Sequence, residues 1–172
     1  MTIRRIIYAN DKRLKQKSDK VTRFDAALKQ LANDMHETMQ SFNGVGIAGP
    51  QIGVMQRIFV AEIPPNRDGD DEPSHPQSGQ TYILVNPQIV RVAKKRVEGR
   101  EGCLSIPTWF GYVERPEWVE LIAQDLNGEQ ITLKTDDLLG RIFQHEIDHL
   151  NGVLYPEHIS DPTKFWQELP SD

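Results

Sequence analysis

Gln144-His145-Glu146-Ile147-Asp148-His149-Leu150 sets two imidazoles four positions apart, with a carboxylate beside the first. At about 100° of rotation per residue, His145 and His149 fall on one face of a helix, so their ring nitrogens can reach a common ion. Glu146 lies about a quarter-turn away, where it can touch water on that ion without ligating the ion itself; this is the mechanical content of an H-E-x-x-H motif. Around these residues Leu138, Leu139, Ile142, Phe143, Ile147 and Leu150 clothe the helix in apolar side chains. Asp136 or Asp137 supplies an N-cap and Asn151-Gly152 a stop. Histidines and a glutamate buried unpaired on so apolar a helix would be costly, and a metal resolves that cost. The other segments alternate strands with one more well-marked helix. The expected class is therefore α+β, with antiparallel strands packed around a central metal-bearing helix.

Upstream, Thr22 with Asp25 approximates a capping box, and Phe24, Leu28, Leu31, Met35, Met39 and Phe42 follow at helical spacing. This predicts an N-terminal amphipathic helix ending at Asn43-Gly44, with His36 off the apolar stripe and at the surface. Gly44 to Gly53 holds four glycines in ten residues, which lets another backbone approach closely. No Lys-Ser/Thr pair follows, so a phosphate loop is excluded, and the plain alternative is a connecting loop. A strand is expected over Arg57 to Ile63. An exposed insert follows over residues 64–80, rich in proline and acid and including His75 in no metal role. Two strands, Thr81 to Val85 and Gln88 to Val97, are read on either side of Asn86-Pro87. Glu98 to Pro107 carries glycines that suggest a bulge or sharp turn of the kind found beside active sites. Trp118 to Gln124 and Gln130 to Lys134 form a hairpin across Asn127-Gly128. His158 is read as a surface residue, and Asp161 to Leu169 as a short helix capped by Asp161 with Pro162 in its first turn.

With 172 residues, 38% hydrophobic and 26% charged, the chain suits one domain spanning 1–172. A formal charge of −5 argues against general nucleic-acid binding. Residues 1 to 23 are locally basic, with eight Lys and Arg against Asp11 and Asp19, and read as a solvated surface. No apolar stretch is long enough for a signal peptide or membrane helix, and Cys103, the single cysteine, suits a reducing compartment. A cytoplasmic protein with no membrane partner is expected.

Two histidines leave a metal site incomplete, since catalytic sites of this kind take three protein ligands and keep a position open for water. Cys103 is the only thiol and sits among glycines, although other donor types could complete the set. Glu101-Gly102-Cys103-Leu104-Ser105, taken with Gly44-Val45-Gly46-Ile47-Ala48-Gly49-Pro50-Gln51 and Gln144 to Leu150, resembles the three signature motifs of peptide deformylase, in the family's order. The similarity runs from about residue 40 to 155 and takes in Tyr112 to Pro116 and Asn127-Gly128. It implies a hydrolase that removes the N-formyl group from the formyl-methionine of newly synthesised polypeptides and releases formate. By motif position Cys103, His145 and His149 would ligate one Fe²⁺, which Zn²⁺, Ni²⁺ or Co²⁺ can replace. Glu146 would be the general base, Gln51 and the backbone N–H of Leu104 would support the oxyanion, and Gly44, Val45, Gly46 and Ile47 would present backbone to substrate. Ile142, and less securely Leu138, would line the methionine pocket. Gln144 and Asp148 would either orient ligands or lie exposed. The partners implied are N-formyl-methionyl nascent chains, with transient contact with the ribosome.

The chain departs from the family where Ala48-Gly49 stands for the usual two alanines, a lost methyl expected to loosen the loop that holds Gln51. Asp137 and Gly140 likewise replace a more usual glycine and alanine. Two rivals remain at this stage. One is an H-E-x-x-H zinc metallopeptidase, which needs a ligand downstream of His149 that only Glu157 or His158 could supply. The other is a non-catalytic, metal-stabilised module that binds nascent chains, which would give Glu146 no purpose.

Overall fold

Ile58, Phe59, Val60 and Ala61 are all withdrawn from solvent, so the strand that carries them must be covered on both faces. Alternation sends Phe59 and Ala61 to one side and Ile58 and Val60 to the other. In the computed structural model, which describes residues 2–65 and 75–169, that strand is β2 (Ile58–Glu62). A five-stranded antiparallel sheet has the order β1 (Gly46–Ala48), β2, β3 (Thr81–Val92), β6 (Trp118–Gln124) and β7 (Gln130–Asp136). A second sheet joins β4 (Arg96–Cys103), β5 (Ile106–Pro116) and β8 (Phe165–Gln167).

Helix α1 (Ala26–Ser41) packs Leu28, Leu31, Met35 and Met39 against Ile58, Val60 and Val85 on one face of the large sheet. Helix α2 (Asp137–Leu150) packs Leu139, Ile142, Phe143, Ile147 and Leu150 against Phe59, Ala61 and Leu121 on the other. The Phe143 ring meets Phe59 and Tyr82 edge-on, each at 5.3 Å. Burying a side chain of that size is worth about 1.5–3 kcal/mol. The architecture is thus α+β, with α2 held between strands, as its apolar cover requires.

Four local expectations change. Thr22 takes no part in the cap of α1; the Asp25 carboxylate accepts from Ala27 N and Leu28 N by itself. Asn86-Pro87 does not separate two strands but is a bulge inside β3, with Asn86 at φ 52. The Asn86 amide accepts from Val21 N and donates to Val21 O and Gln124 Oε1, supplying the pairing that the bulge interrupts. Val97 belongs to the next strand, β4. The tail forms no helix beyond a single 3₁₀ turn at Pro162–Lys164, where the Asp161 carboxylate accepts from Thr163 N. It then pairs as β8 with Trp109, Phe110 and Gly111 of β5, because Phe165 gains a stacked partner in Trp109, 4.7 Å away. Of the 64–80 insert, residues 66–74 lie outside those described. His75 faces Asp137 at 3.7 Å.

Candidate active site

Three segments distant in sequence meet at the end of α2. The β4 strand delivers Cys103 at its last position, where the register against β5 shifts between Gly102 and Cys103. The bulge expected from the glycines therefore turns the thiol inward. Helix α2 supplies His145 and His149, whose rings meet edge-on at 4.9 Å. Cys103 Sγ lies 3.3 Å from His149 Nε2, and one ligand atom from each of the three residues falls within 4.8 Å of the others. One thiol and two imidazoles converging in this way suit a divalent transition ion with one open position. Burial presses the His149 pKa well below the ordinary imidazole range, which keeps the ring neutral, the form that binds metal. Among the described residues no other Cys, His, Asp or Glu joins the group, and Glu157 and His158 do not enter it.

His145 is fixed by a charged network absent from the sequence-based expectation. Its Nδ1 lies 2.9 Å from Glu101 Oε2. Glu101 in turn receives Nε and Nη2 of Arg115 at 2.6 and 2.9 Å and Nη1 of Arg141 at 2.9 Å. Arg141 also donates to the carbonyls of Val97, Gly99 and Val113, so one guanidinium joins α2 to both long strands of the small sheet. Burial acts to raise the Glu101 pKa, but the Arg115 and His145 contacts prevail and hold it well below the ordinary carboxylate range. A carboxylate behind a ligating imidazole fixes its tautomer and ring orientation, leaving Nε2 for the ion. The only sequence signal was Glu101 two positions before the thiol, and nothing linked it to arginines fourteen and forty residues away.

Glu146 is 3% exposed, with its pKa pushed up to about 7 by burial, and its Oε2 has no hydrogen-bond partner among the described residues. An orphaned carboxylate oxygen beside three convergent donors fits a site built to hold an ion and its water. Gly46 makes room for it, since a Cβ there would stand 2.3 Å from Glu146 Oε1. Gln51 is anchored through Oε1, which accepts from Ala48 N at 2.8 Å, while its Nε2 faces Ser105 Oγ at 3.3 Å and Cys103 Sγ at 3.5 Å. The amide is thereby aimed at the thiol, next to the donor group. Gly49 does not loosen this loop: a Cβ would come within 2.8 Å of the carbonyls of Val54 and Gln56, so the absent methyl permits a tighter approach.

A cavity of about 360 Å³ opens onto these groups. Gly44, Val45 and Gly46 form one rim, Gly102, Cys103 and Leu104 another, and Leu138 and Ile142 also line it. Ile142 is buried, whereas Leu138 stands 41% exposed at the mouth. Ile47 is placed differently from Val45: it is fully buried in the core under α1 and does not line the cavity. Gln144 is buried and donates to Pro116 O and Gly140 O. Asp148 accepts from Arg115 Nη1 and pairs with His158, which is exposed as expected and bonded to this network from the surface. Trp109, Phe110, Arg100 and Arg141 line the cavity as well, and no spacing signal marked them.

The family model described as polypeptide deformylase matches residues 3–165. A peptide deformylase of Thermomicrobium roseum is 44% identical over 161 residues, covering 94% of this chain and 88% of that protein. One from Roseiflexus castenholzii is 49% identical over 140 residues, covering 78% and 75%. Among solved structures, the Ehrlichia chaffeensis peptide deformylase superposes with a TM-score of 0.84 at 36% identity, covering 95% of this chain and 91% of that one. An Acinetobacter baumannii peptide deformylase with Met-Ala-Ser bound gives 0.84 at 35% identity, covering 92% and 99%.

Proposed function

Because this chain belongs to the polypeptide deformylase family, we propose that Cys103, His145 and His149 hold one Fe²⁺ and that Glu146 is the general base beside it. The chain is a metal-dependent hydrolase that removes the N-formyl group from the formyl-methionine of newly synthesised polypeptides and releases formate. The observation that carries the assignment of roles is the buried, unpartnered Glu146 Oε2 next to the thiol and two imidazoles.

An ion held by Cys103, His145 and His149 would supply acidification of water and polarisation of the formyl carbonyl. Glu146 takes a proton from the attacking water at Oε2 and passes it to the amine as the formyl C–N bond breaks. The Gln51 amide and the backbone N–H of Leu104 donate to the oxygen that gains charge as water adds, a role worth about 3–4 kcal/mol per donor in comparable sites. Glu101, locked by Arg115 and Arg141, keeps the His145 ring in place throughout. β1 is an edge of the large sheet and β4 an edge of the small one, and both contribute to the cavity rim. An extended formyl-methionyl peptide lies between them, paired through the backbone of Gly44, Val45, Gly46 and Ile47, with methionine against Ile142. The apolar lining, with Leu104, Trp109, Phe110 and Ile142, excludes water around it.

The chain works as one catalytic domain, and a ligating thiol suits the reducing cytosol. No helix of the described residues is long and apolar enough to cross a membrane. The basic segment before α1 offers the surface for transient ribosome contact. Formate release from N-formyl-Met-Ala-Ser by anaerobically prepared enzyme, with elemental analysis, tests the reading. Proteolysis of an unformylated protein without formate release would sink it, and a metal other than iron would overturn the choice of ion.

A further inference from the structure

We propose that the 3₁₀ turn Tyr155–His158, which follows α2, is a positioning element for His145. Tyr155 acts on the imidazole ring and His158 acts through Asp148, Arg115 and Glu101; the inference rests on the reading of His145 as a metal ligand. A 3₁₀ helix has three residues per turn, so side chains at i and i+3 eclipse one another. Tyr155 and His158 therefore leave the turn on the same side. Both meet α2, at His145 and Asp148, which are themselves three positions apart on one face of that helix.

A hydrogen bond to Nδ1 fixes one point on the edge of an imidazole but not the tilt of its plane. Glu101 Oε2 holds His145 in that way, at 2.9 Å. The Tyr155 ring covers a face of the imidazole, with centroids 5.9 Å apart and planes inclined by 24°, and so opposes the tilt. Tyr155 is fixed in turn. It is buried, its hydroxyl donates to Trp109 O at 2.9 Å, and the Phe165 ring of β8 lies 6.2 Å away.

His158 works at the far end of the same network. Its Nε2 lies 2.8 Å from Asp148 Oδ2, the oxygen that also accepts from Arg115 Nη1 at 2.8 Å. Arg115 grips both oxygens of Glu101, and Glu101 grips His145. Side-chain exposure falls inward along this line, from 34% at His158 and 21% at Asp148 to 5% at Arg115 and 4% at Glu101. Without His158 the Asp148 carboxylate can turn to water, which leaves one contact of a buried guanidinium unsecured. The turn itself has a firm base. Glu157 Oε1 accepts from Leu154 N at 2.6 Å and from Lys15 Nζ at 2.7 Å, tying the turn to its own start and to the N-terminal segment.

Co²⁺-loaded enzyme challenged with EDTA, followed by the visible absorption of bound cobalt, reads how firmly the ligands hold the ion, and formate release from N-formyl-Met-Ala gives kcat and KM. His158→Ala is expected to lose cobalt about fivefold faster than the wild type, with kcat lowered about fivefold at unchanged KM, somewhat less than the roughly 10–100-fold typical of groups that touch a ligand directly. His158→Gln keeps an N–H donor for Asp148 and should restore both to within about twofold of the wild type. Tyr155→Met should lose cobalt about tenfold faster, whereas Tyr155→Phe, which keeps the ring, should stay within about threefold. Equal cobalt loss from wild type and His158→Ala, or His158→Gln as impaired as His158→Ala, would overturn the proposal, and this exposed pair decides the matter even where Tyr155→Met does not fold. Lower melting temperatures with unchanged cobalt loss and kcat would mean that the turn only supports the fold, and would overturn it as well. A wild type that binds no cobalt and releases no formate would instead bring down the metal reading.

Discussion

At the scale of single residues, the chemistry depends on space as much as on identity. Gly46 is required because a methyl group would press on Glu146 Oε1, and the carboxylate forced to move is the one proposed to handle the proton through Oε2. Gly46→Ala should keep the melting temperature within a few degrees while kcat falls at least tenfold, read by circular dichroism and formate release. Glu146→Ala should retain the metal and lose about 10²–10⁴-fold in turnover, the usual worth of a positioned base; unchanged rates would remove Glu146 from that role. Glu101→Gln breaks a buried pair with Arg115, a change that costs roughly 3–5 kcal/mol in comparable sites. The Glu101 pKa is depressed in the folded chain, so its contribution is complete above the ordinary value of 4.5 and declines as pH falls towards the folded value. The stability gap between wild type and Glu101→Gln in urea should therefore be widest near pH 7 and narrow below pH 4.5; a gap constant down to pH 3 would contradict the linkage. His145, His149, Cys103 and Glu146 were legible as a set because helical geometry and motif order carry them. Glu101, Arg115 and Arg141 were not, because their meeting is a matter of strand register and not of spacing.

At the scale of elements, helices and hairpins were readable where a local signal was strong. Asn127-Gly128 turns β6 into β7 with Gly128 at φ 86, and Asn151-Gly152 ends α2 with Gly152 at φ 77, both from residues suited to such angles. Asp25 caps α1 with two backbone donors. Asp25→Ala should lower stability by about 1 kcal/mol, roughly 2–4 °C in melting temperature for a chain of this size, without changing kcat. Readings failed where a partner far away in sequence decides. Asn86-Pro87 looks like a break, yet Val21 and Gln124 bridge it within one strand. The tail has a helix-like start at Asp161-Pro162, but the open edge of β5 pairs it instead, and a helix so short has little stability of its own.

At the scale of the whole molecule, the ligand set links the small sheet to the helix that packs on the large one. Cys103 comes from the small sheet, and both histidines come from the helix that packs on the large one. An ion held by all three binds only the folded chain, so stripping it with a chelator should lower the melting temperature. At free metal about a hundredfold above its dissociation constant the loss is about 2.7 kcal/mol, or roughly 5–10 °C. Calorimetry with and without chelator checks this, and an unchanged transition would mean that the donors do not bind metal in the folded protein. The sequence by itself determined the metal-bearing helix, its apolar surroundings and the α+β class, because periodicity acts within a few residues; the expected aspartate cap contributes little, since Asp136 stands at the N-cap with no side-chain bond to the helix. It also picked out the thiol and the two imidazoles that the fold brings together, because their motif order survives without knowledge of the fold. Only the tertiary structure decided that Glu101 grips His145, that Gly49 is pressed between two carbonyls, that Ile47 faces the core, and that the tail completes a sheet beside the cleft. Each of these depends on strand register and close packing between distant segments, which the spacing of residues along one chain does not specify.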